Sequence, residues 1–238
     1  MVDSNQSMNL PTVLITGATS GIGAATARAL APDHRLVLVG RRTERLAALV
    51  QELGGVAWGI TADLTGSDVP RRVIDEALAK AGRLDAIVNN AGIYATAAIG
   101  ALTPEHVQEL WHLNVLVPML MTQAALPHLR GARGGTIVNI SSVAAEAAFT
   151  GCGAYAASKA ALEAWSRCLR EELRGTNVRV TVVVPGATDT EIWPDGVALE
   201  RTRMCRASDV AAVIRLAITM PGTASVDRII VAPPSGPF

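Results

Sequence analysis

The chain of 238 residues is 50% hydrophobic and 18% charged, enough apolar side chain for a sizeable core in one large domain or two small ones. Its 21 acidic and 21 basic residues cancel, which removes the global field that nucleic acid or an anionic membrane surface would favour. The three cysteines, Cys152, Cys168 and Cys205, are spaced for neither a disulfide framework nor a metal site, and no segment keeps the roughly 18 uninterrupted apolar residues of a membrane span, so a reducing, cytoplasmic setting is expected.

Residues 1–10 read as a loose polar arm without the apolar run of a signal peptide, and 11–238 read as one domain. Thr12 to Thr16 is a short, β-rich apolar run, predicted as a buried strand. It stops at Gly17-Ala18-Thr19-Ser20-Gly21-Ile22-Gly23, and the alanine-rich stretch Ala24 to Leu30 that follows has high helix propensity. Strand, glycine turn and helix in that order suit a dinucleotide pyrophosphate. Glycines let backbone amides approach the phosphates, and a helix N-terminus offers them unpaired N–H groups and partial positive charge. Gly17, Thr19, Ser20, Gly21, Ile22 and Gly23 are therefore cofactor candidates, at a G-x-x-x-G-x-G spacing.

Arg35 to Val39 is a second predicted strand, and it ends at Gly40-Arg41-Arg42. A carboxylate at this position would bind the adenosine ribose diol of NAD, whereas arginine accommodates a 2′-phosphate. Two guanidinium groups and no acid favour NADP(H), unless Arg41 and Arg42 only open the exposed helix Thr43 to Leu53. Val56 to Ile60 is a third strand, closed by Thr61-Ala62-Asp63-Leu64. Asp63 is placed either to accept from an adenine amino group or to cap the next helix, Asp68 to Lys80, for which Ser67 is better placed. Leu84 to Val88 is a fourth strand, running into Asn89-Asn90-Ala91-Gly92. Thr103-Pro104 starts a helix predicted to reach Arg130, and Asn114 within it needs partners for its amide on an otherwise apolar face.

Gly135 to Ile140 is a fifth strand, delivering Ser141 and Ser142. Tyr155 and Lys159 then stand four residues apart at the head of a helix running to about Arg174, so phenol and ammonium project from one face. Only two of the 21 basic residues are lysines, which makes the pair more telling. Ala160, Ala161, Ala164, Trp165, Cys168, Leu169 and Leu173 are expected to form this helix's core-facing stripe. Asn177 to Val184 is a sixth strand, followed by Pro185-Gly186-Ala187-Thr188-Asp189-Thr190. An irregular stretch, Glu191 to Arg206, leads to a helix from about Ser208 to Met220 and a last strand, Arg228 to Ala232.

Alternating strands and helices imply an α/β fold: a single-domain, Rossmann-type, doubly wound parallel sheet with helices on both faces. Ligands bind at the carboxyl ends of such strands, and Gly17, Arg41, Asp63, Asn90, Ser142 and Gly186 all fall there.

Thr16 to Gly23, Asn89 to Gly92, Asn114, Ser142, Tyr155 with Lys159, and Pro185-Gly186 together make the chain resemble the short-chain dehydrogenase/reductase family over essentially its whole length. The resemblance implies a seven-stranded sheet, nicotinamide-dependent oxidation or reduction of alcohols and carbonyls, and a dimer or tetramer. It adds Leu64, Asn90, Ala91, Gly92, Pro185, Gly186, Thr188, Thr190, Tyr155 and Lys159 to the cofactor set, and implies Asn114, Ser142, Tyr155 and Lys159 as the catalytic set. Ser142 is chosen over Ser141 because the family's serine lies thirteen residues before its tyrosine. Ala145 departs from a frequent glycine, and the segment resembling the substrate loop, about 188–206, is short.

The chemistry is consistent with those roles. A phenol titrates at about 10, too high for a base at neutral pH. Lys159 and an oxidised nicotinamide are expected to favour phenolate, by roughly two to three units or about 3 to 4 kcal/mol. Ser142 would bond the substrate oxygen, and Asn114 would hold a water relaying protons to Lys159. Residues 93–98, 143–154 and the loop after Thr188 are mostly small or apolar, which suits a small to medium apolar carbonyl compound. The competing class is a non-catalytic NADP(H)-binding sensor or scaffold, and the complete four-residue set argues against it.

Overall fold

The computed structural model describes residues 10–131, 134–194 and 200–236; of the predicted arm, residues 1–9 lie outside them. Strand β1 (Thr12–Thr16), helix α1 (Gly21–Leu30), β2 (Arg35–Gly40), α2 (Thr43–Leu53), β3 (Ala57–Thr61), α3 (Val69–Ala81) and β4 (Ala86–Asn89) make up the first half. Helices α4 (Pro104–Trp111) and α5 (Val117–Leu129), β5 (Gly135–Ile140), α6 (Gly153–Glu172) and β6 (Val178–Pro185) follow. Two short strands, β7 (Thr188–Asp189) and β8 (Cys205–Arg206), precede α7 (Ala207–Thr219) and β9 (Arg228–Val231).

Seven of the strands form one sheet in the order β3-β2-β1-β4-β5-β6-β9, every neighbouring pair parallel. The chain winds outward from β1 to β3, then returns to place β4 on the other side of β1. This reversal opens a crevice at the carboxyl ends of β1 and β4, where ligands bind in sheets of this kind.

The central strands are buried on both sides, so they read as continuous apolar runs rather than alternating ones. Leu14 packs with α3, α5 and α6 on one face of the sheet, while Val13 and Ile15 pack with α1, α2 and α7 on the other. Two charge contacts fix the frame. Arg215 on α7 grips Asp33, just past α1, through two bonds of 2.6 Å, and Asp85 accepts from the Thr12 amide at 2.8 Å, tying β1 to the start of β4.

Four expectations change. The helix predicted from Thr103 to Arg130 starts as expected, with Thr103 capping His106 N, but a π-helical segment at His112–Leu116 interrupts it at Asn114. Helix α3 has Asp68 rather than Ser67 at its N-cap position, without a side-chain capping bond, while Asp63 Oδ1 accepts from the amide and hydroxyl of Thr65. The buried stripe of α6 is Tyr155, Ser158, Lys159, Leu162, Glu163, Ser166 and Leu169. Ala164 and Cys168 are exposed, because the polar residues with partners in the sheet take the inward face. The stretch after Thr190 is also not wholly irregular, since Cys205–Arg206 pairs in parallel with Thr188–Asp189.

Candidate active site

Gly17 and Gly21 adopt φ values of 66° and 51°, in the left-handed region that a side chain would strain. Gly23 sits behind them so closely that a Cβ would lie 2.3 Å from Gly17 O and 2.7 Å from Asn90 Nδ2. Asn90 braces the turn, donating from Nδ2 to Thr16 O at 2.9 Å and Gly17 O at 3.2 Å. Thr16 Oγ1 in turn accepts from the Asn90 and Ala91 amides at 3.0 and 2.9 Å. Ser20, the N-cap of α1, makes no side-chain capping bond, so the helix N-terminus keeps donors for an anion. The residues therefore fit a dinucleotide pyrophosphate.

This turn forms one wall of a cleft of about 410 Å³. Gly17, Thr19, Ser20, Gly21, Ile22, Arg41, Arg42, Asp63, Leu64, Asn90, Ala91, Gly92 and Thr190 all line it. Gly23 lies behind the turn, while Pro185 at the end of β6, Gly186 and Thr188 do not line the cleft. Thr188 Oγ1 donates to Gly186 O at 2.9 Å, and a Cβ on Gly186 would lie 3.0 Å from Pro233.

The two arginines at the end of β2 differ. Arg41 is exposed at the cleft, and its charge helps lower the Asp63 pKa, chiefly the work of the bonds from Thr65. Arg42 donates to Thr19 Oγ1 at 3.1 Å, Ser20 Oγ at 2.5 Å and Glu191 Oε2 at 2.8 Å. Glu191 and Tyr94 also line the cleft; the sequence placed them only within the segments expected to wall the substrate, the loop after Thr188 and residues 93–98. Both lie in segments without a periodic pattern, where only the folded chain shows which side chains turn inward.

Beyond the cleft wall at Gly92 and Tyr94, Tyr155 and Lys159 share the inward face of α6, 7% and 6% exposed, and neither they nor Asn114 and Ser142 line the cleft itself. Lys159 Nζ donates to Ile140 O at 3.0 Å and lies 5.9 Å from the centre of the Tyr155 ring. Asn114 is fully buried: Oδ1 accepts from Ile93 N at 2.9 Å, and Nδ2 donates to Ile93 O at 3.0 Å and Ser158 Oγ at 3.1 Å. Asn114, within the π-helical segment, thus finds in Ile93 and Ser158 the amide partners that the sequence required for it. A Cβ on Gly92, which lines the cleft, would lie 2.9 Å from Asn114 Oδ1 and 3.5 Å from Lys159 Nζ, so amide and amine stand directly behind the cleft wall.

Burial pushes the Tyr155 phenol up to about 12, against a lowering by the hydrogen bond from Ser142. It pulls the Lys159 ammonium down to about 8. The expected phenolate stabilisation by Lys159 is therefore not a property of the protein alone. Desolvation is the largest effect on the phenol, and Lys159, its amine held on a backbone carbonyl, is not among the groups that shift it. Ser142, besides facing the phenol, accepts from Ala144 N at 3.2 Å as it starts a 3-10 turn.

Leu110, Ala144 and Tyr155 form a small apolar cluster with Ile93, Tyr94, Ala95, Phe149 and Ala154. The Tyr94 ring stands edge-on to Tyr155 and Trp193, with centres 5.0 Å apart in each case, and its hydroxyl lies 3.3 Å from Cys152 Sγ. Behind α6, Glu163 accepts from Ser141 Oγ at 2.7 Å and Arg228 Nε at 3.0 Å, fastening the helix to β5 and β9. Among the described residues, no cluster of His, Cys, Asp and Glu could hold a metal ion. No helix among them is long and apolar enough to cross a membrane.

Residues 11–198 match the sequence profile of the short chain dehydrogenase family. The chain is 37% identical to sulfoacetaldehyde reductase 2 of Chromohalobacter salexigens, covering 93% of each. It is 40% identical to serine 3-dehydrogenase of Agrobacterium fabrum over 76% of this chain and 73% of that protein. Among solved structures, a short chain dehydrogenase from Burkholderia cenocepacia J2315 in complex with NADP superposes with a TM-score of 0.85 at 32% identity, covering 93% of this chain and 96% of that one.

Proposed function

This chain belongs to the short-chain dehydrogenase/reductase family, and from that premise we propose that it interconverts a carbonyl compound and an alcohol with NADP(H), Tyr155 acting as general acid and base. The observation that supports this best is that Tyr155, packed on Tyr94 and bonded by Ser142, and Lys159 with Asn114, directly behind Gly92, adjoin a cleft whose lining includes a phosphate turn and two arginines. A bound NADPH supplies the hydride.

The chain's own residues do the rest. Gly17 to Gly23 and Thr190 hold the pyrophosphate, and Arg41 with Arg42 takes the adenosine 2′-phosphate. Asp63 uses only Oδ1 for Thr65, which leaves Oδ2 for the adenine amino group. Lys159 is placed to reach ribose hydroxyls past Gly92. Ser142 donates to the substrate oxygen as negative charge builds there, and the neutral Tyr155 phenol protonates it. A phenol held up at about 12 is fully protonated at neutral pH, the state reduction requires. In the oxidative direction the same phenol must first be acidified, by the positive nicotinamide and by Lys159. Asn114 positions a water beside Lys159, through which the proton is replaced.

The apolar side chains packed on Tyr155, among them Ile93, Tyr94, Phe149 and Ala154, suit a small to medium apolar carbonyl compound as substrate. Residues 188–206, of which 195–199 lie outside the described residues, serve as the substrate loop, and Trp193 stands edge-on to Tyr94. Self-association as a dimer or tetramer is favoured by the exposed Trp111 and Leu116. The three free cysteines suit a cytoplasmic setting.

The test is a panel of aldehydes and ketones assayed by loss of NADPH absorbance. Turnover is expected on apolar members, and Arg41→Ala should weaken NADPH about tenfold while sparing NADH. Equal affinity for the two cofactors, unchanged by Arg41→Ala, would contradict the 2′-phosphate assignment.

A further inference from the structure

Glu191 is the first residue of the loop after Thr190, yet its carboxylate reaches the end of β2. Oε2 accepts from Arg42 at 2.8 Å and from Arg45 at 2.5 Å. Arg42 at the same time holds the hydroxyls of Thr19 and Ser20, so its donors are committed to a site built for an anion. The anion there is the protein's own. Thr190, its neighbour, packs on the phosphate turn, its methyl 3.0 Å from where a Cβ on Gly21 would stand, which keeps Glu191 over the cleft.

A carboxylate on an arginine expected to take a phosphate has a definite consequence. The pair is about half exposed, 43% for Arg42 and 56% for Glu191, and ion pairs of that kind are weak. A cofactor phosphate with bidentate geometry can displace it. Arg45 nevertheless keeps the displaced carboxylate nearby, where it repels the phosphate. NADH carries no such group and meets neither cost.

Building on the NADP(H) reading above, we propose that Glu191 is a specificity-determining residue that competes with the cofactor 2′-phosphate for Arg42 and so reduces the preference for NADPH over NADH.

The experiment is calorimetric titration of the full chain with NADPH and with NADH, without substrate. Glu191→Gln and Glu191→Ala should each tighten NADPH about threefold to tenfold and leave NADH within twofold. Glu52→Gln, which removes the same charge from the exposed Arg28–Glu52 pair, should leave the NADPH to NADH ratio unchanged. Equal shifts for both cofactors, no shift, weaker NADPH binding, or the same gain in Glu52→Gln would overturn the proposal. Failure of the unsubstituted protein to bind NADPH would instead overturn the NADP(H) reading.

Discussion

The two tyrosines of this chain make its proton chemistry directly visible. Tyr155 is pushed up to about 12 by burial. Tyr94 is raised above the usual phenol range by burial and by the Cys152 thiol. Against a normal value of about 10, the Tyr155 shift of two units corresponds to about 2.7 kcal/mol favouring the neutral form. At pH 10 an ordinary phenol is half ionised, whereas about one part in a hundred of Tyr155 should be. Because the folded pKa lies above the unfolded one, the protein keeps this stability below about pH 10 and loses up to about 2.7 kcal/mol as pH rises from about 10 to about 12. The assay is phenolate difference absorbance on rising pH, with far-ultraviolet circular dichroism confirming that the chain is folded at each point. Neither tyrosine should ionise below about pH 11 in the protein alone. Saturating NADP+ should bring one of them down. A phenol titrating at or below pH 10 without cofactor, or no movement with NADP+ bound, would refute the reasoning.

Lys159 should behave as a residue kept for activity at the expense of stability. Its pKa is drawn from 10.5 to about 8 by burial. The folded state therefore sheds protons between these values, and the cost of the charge, about 3 kcal/mol, is complete below about pH 8. Lys159→Met should remove turnover yet raise stability by about 1 to 3 kcal/mol at neutral pH, the gain being trimmed because Ile140 O loses its donor. A lower melting temperature would contradict this. Gly23→Ala sets a Cβ against Gly17 O and Asn90 Nδ2. It should cost about 1 to 3 kcal/mol in denaturant titration and weaken NADPH binding about tenfold or more, and unchanged binding would contradict the cradle geometry.

The sheet was legible because each central strand is a short, nearly unbroken apolar run between glycine turns, as at Thr12–Thr16 and Gly135–Ile140. Gly17, Arg41, Asp63, Asn90, Ser142 and Gly186 were predicted to share one edge; the first four line the same cleft, and Ser142 and Gly186 do not. What sequence missed depends on partners far along the chain. Helix α6 faces inward with Ser158, Glu163 and Ser166 because Asn114, Ser141 and Asn139 bond to them, and no apolar periodicity marks that face. Asn114 asked for partners in the sequence, but the π-helical turn that aims it at Ile93 could not be read from composition. Glu191 opens a stretch predicted as irregular, and its bond to Arg42 forms only when that loop folds back on the end of β2.

The central claim is that Tyr155 transfers the proton. The most direct measurement compares Tyr155→Phe with the unsubstituted protein, using calorimetric NADPH affinity and steady-state reduction of the best carbonyl found in the panel. Deleting one oxygen from a ring that stays packed against Tyr94 should leave NADPH affinity within about twofold and lower kcat by about a hundredfold to ten-thousandfold. Retained turnover in Tyr155→Phe, with cofactor bound normally, would contradict the account.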